Sequence, residues 1–430
     1  MRREAMDAQL VEFPRFLGEN NRLPDSELRS QDGVYVRQAV NVRLTNRGTY
    51  ERRDGYKKLF DGKKPSSLYS NGDRCFYLDD GTFYEIKVGQ NLEFERVALK
   101  TGFRTDAELA YANTPLGVYF SDGQALYRVV GNRVATVNPI KPEAPFLKKI
   151  EGVLPKGNYI FAVTWVNEEG DESPPSHYAR IELTEPGGVE VVAYTPDGYK
   201  LNVYATNTNG TTLYLQTNTI FSAIILNNSK TIEPAEDAAL PAGDLLGYFN
   251  GRLLSVKGQY LFYSEPFHLD RYNRATGFIG FSDKISVIMP TDEGLYVVAD
   301  KTYFLEGRDI TQQNFKEVLP YGGVFGTGCR GKDGEYCWMS PLGFIKANGM
   351  GEVENVQVKK VGVVPCTRGN SIFIKEHGKE EFVTTVFKKP EDISVGYTEE
   401  EKSKANTTTP NHLAAKDYFD AEILRKDSQP

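Results

Sequence analysis

Apolar and polar residues alternate with a period of two along most of the chain, in short runs broken by turns rich in Gly and Asp. That period sends successive side chains to opposite faces, so it predicts many short, half-buried strands. One paired run recurs as DRCFYLDDGTFYEI (73–86), LGVYFSDGQALYRV (116–129), GRLLSVKGQYLFYS (251–264), EGLYVVADKTYFLEG (293–307) and GEYCWMSPLGFIKA (334–347), with a weaker copy at 370–383. Each run has an apolar-aromatic strand, a tight turn and a second strand carrying Tyr or Phe. The turns DDG, SDG and KG hold residues that tolerate the positive φ a hairpin needs.

Adjacent copies are spaced by about 40 residues, the length of one four-stranded propeller blade. A lone hairpin cannot bury its aromatic face, so several must pack around one axis. The prediction is an all-β chain: a β-propeller of about five to seven blades, split into a first part at 34–138 and a second at 245–389. The spacing breaks at 139–244, where Pro139, Pro142 and Pro145 stiffen the entry. There GNYIFAVTWVNEEGDESPPS (157–176) resembles a fibronectin type III-like module, with Trp165 as a core anchor, and predicts an inserted β-sandwich. The Gly-rich stretch 321–334 is expected to be a flexible connection between blades. Residues 1–33 and 390–430 have little apolar periodicity and are expected to be arms that order on a partner, with a short helix near 412–424.

Composition adds to this picture. The chain holds 25 Tyr, 24 Phe and 40 Gly against 5 Met and 2 Trp, as many aromatic strands joined by tight turns require. Its formal net charge of -7 supplies no overall basic field for gripping nucleic acid. Cys75, Cys329, Cys337 and Cys366 form no C-x-x-C pair and are expected to be reduced, buried thiols. The N-terminus lacks the apolar run of a signal peptide, and no stretch approaches the ~20 apolar residues of a membrane span. Synthesis in a reducing cytoplasm without membrane insertion is the expectation.

Catalytic signatures are missing. The sequence has no G-x-S-x-G, H-E-x-x-H or Walker-type phosphate loop, and His177, His268, His377 and His412 stand far apart. Paired carboxylates could serve a glycosidase, but the nearest approach to a sialidase Asp box, Asp79-Asp80-Gly81-Thr82-Phe83, lacks its Ser and spacing residue and reads as a turn. Arg52, Arg53, Lys57, Lys58, Lys63 and Lys64 make a local basic strip, read as solvated strand faces or ion-pair partners. No catalytic residue, metal or cofactor is therefore assigned, and the chain is expected not to be an enzyme.

The stretch FLGENNRLPDSELR followed by QAVNVRLTNRGTYERRDGYKKL (16–59) resembles the opening of tail nozzle and tail tubular proteins of short-tailed bacteriophages. The matching positions are Phe16, Gly18, Asn20, Leu23, Pro24, Ala39, Asn41, Val42, Gly48, Arg52, Arg53, Gly55 and Tyr56. Physically, Gly48 would permit a hairpin, Asn41 could bond its own turn, and the Arg pair could pin a carboxylate. The resemblance implies a structural virion protein, assembled in the host cytoplasm and resident in the tail. It implies a homo-oligomeric ring of six copies that extends the DNA ejection channel, contacts an adaptor ring and tail fibres, and lets double-stranded DNA pass transiently. The competing classes are a carbohydrate-binding or glycan-cleaving propeller on a virion or cell surface, and a propeller scaffold for cellular proteins.

Overall fold

The structure, a computed structural model, describes residues 15–45, 47–53, 58–89, 93–137, 141–168, 170–228, 230–232, 237–312, 314–331, 334–357, 360–362, 366–376, 379–388 and 421–425. The fold is all-β and of β-propeller class with an inserted fibronectin type III-like sandwich; among the described residues the helical content is one turn, Asp25–Glu27. None of the described helices is long and apolar enough to cross a membrane.

Among the described residues, five sheets are four-stranded antiparallel meanders of the blade type. Three belong to one compact unit, 59–285 with 307–313. The first blade runs through Pro65–Ser70, Cys75–Asp79, Thr82–Val88 and Phe94–Thr101; the second through Ala110–Thr114, Gly117–Ser121, Leu126–Val130 and Arg133–Thr136. The third uses Leu245–Phe249, Arg252–Lys257, Tyr260–Tyr263 and Phe278–Gly280.

In every blade the recurring sequence pair supplies the two middle strands, each hydrogen-bonded on both edges. The second strands are buried almost throughout, as in Cys75–Asp79 and Gly117–Ser121, whereas the fourth strand Phe94–Thr101 is mostly exposed. The DDG turn joins Asp79 to Thr82 with Asp80 at φ +47 and Gly81 at φ +77, the doubly positive pair a two-residue hairpin demands.

Apolar clusters lie between successive blades. Phe76, Leu78 and Phe83 of the first meet Val118, Phe120 and Val129 of the second, with the rings of Phe83 and Phe120 stacked at 4.4 Å. Ala112, Tyr119 and Leu126 of the second blade meet Leu253 of the third. Aromatic burial of this kind contributes about 25 cal/mol per Å² of apolar area, an upper estimate for the folding term.

The sandwich is inserted between the second and third blades. Its three-stranded sheet orders Phe146–Leu154, Gly187–Val192 and Ile220–Phe221; its five-stranded sheet is centred on Gly157–Val166 and Lys200–Ala205. Inward residues of both sheets, among them Tyr159, Phe161, Val163, Val189, Val203 and Phe221, form one core. Trp165 is buried and its indole N–H donates to the Tyr194 carbonyl at 2.9 Å, so the anchor has its one donor satisfied. The short strand Asp237–Ala239 pairs with Arg271–Asn273 within the third blade's connection and not with the sandwich.

The second compact unit comprises 1–58, 286–306 and 314–430. Its two blades are Val287–Pro290, Gly294–Val298, Thr302–Glu306 and Asn314–Leu319, then Cys329–Arg330, Tyr336–Ser340, Gly343–Ala347 and Val353–Asn355. Tyr296, Phe304, Trp338 and Ile345 fill the space between them. A long hairpin, Cys366–Glu376 and Lys379–Lys388, packs Phe382 and Val386 on Met339 and Phe344 of the fifth blade.

Three expectations are corrected. The stretch 321–334 holds the two-residue first strand of the fifth blade and is not merely a connection, because Cys329 and Arg330 find ladder partners in Cys337 and Tyr336. Residues 15–33 are not a free arm: Phe16–Glu19 pairs in parallel with Val34–Val36, and the Asn21 amide N–H donates to the Lys360 carbonyl. The backbone of Ala421–Arg425 is a strand on the edge of Lys379–Lys388 and not the end of a helix. The remainder of both expected arms lies outside the described residues.

Candidate functional site

The N-terminal motif forms a small scaffold within its own unit. The Phe16 amide donates to the Gly48 carbonyl at 2.7 Å, and the Phe16 ring meets Tyr50 at 4.5 Å. This joins the first strand to the hairpin Val42–Leu44 and Tyr50–Arg52. Gly48 turns that hairpin at φ +75, as its identity suggested. Gly18, at φ +112, sits where the parallel pair shifts register.

Asn20 is 3 % exposed, and its Oδ1 accepts the amides of Arg22 and Leu23, both at 3.1 Å. This Asx turn leads into Pro24, whose carbonyl accepts Glu27 N at 2.9 Å in the single helical turn. Ala39 N donates to Glu19 Oε2 at 3.0 Å. Asn41 adopts a left-handed φ of +57, and its carbonyl accepts Arg53 N at 3.0 Å. Here the backbone, and not the expected Asn side chain, makes the turn's bond. Val42 stands opposite Arg52, whose side chain is exposed on the strand. Arg43 of this hairpin pairs with Glu381 at 3.1 Å. Gly55 and Tyr56 lie outside the described residues. The motif residues thus come together as turn formers and packing points, with no reactive pair among those described.

A second polar cluster escaped sequence reasoning. It lies where the sandwich loop between Gly157–Val166 and Ala179–Leu183 meets the second and third blades. Glu172 is its centre: Oε1 accepts Asn202 Nδ2 at 2.9 Å, Tyr204 OH at 2.7 Å and the Thr164 hydroxyl, while Oε2 pairs with Lys230 Nζ at 2.5 Å. Burial opposes ionisation of Glu172, but Lys230, Thr164, Asn202 and Tyr204 outweigh it and hold the carboxyl at about 2. The Glu172 carbonyl accepts Arg271 Nη2 at 2.5 Å, and neighbouring Asp171 pairs with Arg128 at 2.9 Å. Asp270, beside Arg271, is shifted upward because burial exceeds the help of that guanidinium. The only sequence signal was the charge-rich EEGDES turn; the donors come from 8 to 99 residues away.

Neither cluster resembles a catalytic centre. Among the described residues, no group of three His, Cys, Asp or Glu could hold a metal ion. Asp79 of the rejected Asp box accepts the amides of Lys63 and Lys64 at 2.9 and 2.8 Å, and Lys63 pairs with Asp80 at 3.1 Å. That part of the basic strip is an ion-pair partner.

No protein-family model matches the chain, and no characterised protein matches it by sequence. Similar solved structures include BBS1N in complex with ARL6DN (10% identity, TM-score 0.31, covering 76% of this chain and 90% of that one). They also include a catalytically inactive variant of virginiamycin B lyase from Staphylococcus aureus with quinupristin (9%, 0.30, 75% and 92%) and the Neurospora crassa Pan2 WD40 domain (8%, 0.31, 75% and 85%). At these scores the fold assignment rests on this chain's own sheet topology.

Proposed function

We propose that the chain is a structural protein of a bacteriophage tail, six copies of which form a ring that extends the DNA ejection channel and contacts an adaptor ring and tail fibres. The observation that carries this reading is the N-terminal stretch. The residues through which it resembles tail nozzle proteins are spent on turns and packing, as with Asn20, Gly48 and Phe16, which is what an assembly scaffold asks of them.

In this reading the protein is not an enzyme and works without cofactor. A closed ring needs heterologous interfaces, so each copy offers two different faces to its neighbours. The net charge of -7 suits a conduit, since phosphates repelled by an acidic wall slide and are not held. Native mass spectrometry and electron microscopy of the purified full chain test the proposal. A discrete six-fold ring is expected; a strict monomer at micromolar concentration, or glycan turnover abolished by changing one carboxylate, would refute it.

A further inference from the structure

We propose that Cys329 and Cys337 close a cross-strand disulfide under oxidising conditions, stapling the first strand of the fifth blade. The two residues are direct partners in the antiparallel ladder. Opposed positions in such a ladder have Cα atoms ~4.5–5.5 Å apart and side chains on the same face. That separation falls within the ~4.4–6.8 Å a disulfide spans. All four cysteines of the described chain are thiols.

Burial assigns the order of events. Cys329 is half-buried, whereas Cys337 is 1 % exposed. A small peroxide therefore meets Cys329 first. Its thiolate attacks one peroxide oxygen, the O–O bond breaks, and one water leaves after proton transfer, giving a sulfenic acid. Cys337 then attacks that sulfur, the S–O bond breaks, and a second water departs. Two thiols are oxidised and one hydrogen peroxide is reduced to two waters. Lys346 stands opposite Cys337 on its other edge, and its ammonium, also paired with Glu335, interacts electrostatically with the thiol.

The location gives the bond its consequence. Cys329–Arg330 is two residues long, the shortest strand in any of the five blades, so its ladder is the weakest. A covalent link to Tyr336–Ser340 ties it down after the protein leaves a reducing compartment. Cys366 packs on the same apolar cluster and is the natural competitor.

The test treats the full chain with hydrogen peroxide, blocks residual thiols and maps peptides without reduction. Free thiols should fall from four to two, with one bridge joining 329 and 337, and dithiothreitol should restore all four. Cys329→Ser should abolish the bridge and Cys366→Ser should leave it. The oxidised wild type should melt higher than the reduced form, a shift missing in Cys329→Ser. Four surviving thiols, over-oxidation of Cys329 without a bridge, a bridge to Cys366, or an equal melting shift in Cys329→Ser would overturn the proposal.

Discussion

Glu172 shows how a single carboxylate can be held charged while largely removed from water. Four side-chain donors from the sandwich surround it, and replacing the charge by Glu172→Gln removes charge-assisted bonds worth about 1.5–3 kcal/mol each at the upper end. The folded carboxyl titrates at about 2, below its ordinary 4.5. Its stabilisation is therefore fully present above pH ~4.5 and is lost as pH falls through 2. Unfolding measured across that window should show wild type and Glu172→Gln converging as acid is added. A gap that stays constant would mean that Glu172 acts through packing alone.

Gly81 makes a different residue-level case. A Cβ there would lie 2.5 Å from the Phe103 carbonyl oxygen, on top of the strain of φ +77. At Gly72 the φ is +96 but nothing lies within 4 Å. Gly81→Ala should therefore cost more than the ~1–3 kcal/mol of backbone strain alone, and more than Gly72→Ala. Urea midpoints of the two variants decide it, and equal shifts would contradict the steric argument.

At the level of elements, the middle strands of each blade were legible because they obey two rules together. They are apolar and buried throughout, as in Gly294–Val298 and Tyr336–Ser340, and in the first three blades they meet at a turn with a residue of positive φ, as at Gly81, Gly123 and Gly258. The fourth strands satisfy neither rule: Phe94–Thr101 and Asn314–Leu319 are largely exposed, so their composition is free. Cys329–Arg330 is strand only because Cys337 and Tyr336 offer it a ladder.

The sandwich loop likewise becomes an element through its partners. Ser173 N donates to the Trp165 carbonyl at 2.7 Å, and Ser173 Oγ accepts Trp165 N at 2.9 Å. Arg271→Gln would strip Asp270 of its guanidinium and the Glu172 carbonyl of a donor. Breaking a buried charge pair costs ~3–5 kcal/mol. Hydrogen exchange should accelerate at Ser173 and Trp165 in this variant, and unchanged protection would show that Arg271 does not hold the loop.

For the whole molecule, the compact units do not follow sequence order: residues 1–58 belong with 286–306 and 314–430. The N-terminal motif is tied to late chain by Arg43–Glu381 and by Asn21 Oδ1, which accepts Gly362 N at 2.7 Å. Asn21→Ala should therefore remove the acceptor of the Gly362 amide. Faster exchange of the Gly362 amide is the expected sign; if it exchanges as in wild type, the tie is incidental.

Period-two patterning, turn chemistry and aromatic content by themselves determined an all-β chain of blade hairpins interrupted by a sandwich. Those features act between near neighbours, so they are written locally. Tertiary structure alone decided that residues 15–33 join the late chain, that Cys329 faces Cys337, and that Glu172 stays ionised. Each of these depends on groups far apart in sequence arriving at one place, and a linear pattern of residue types carries no distance.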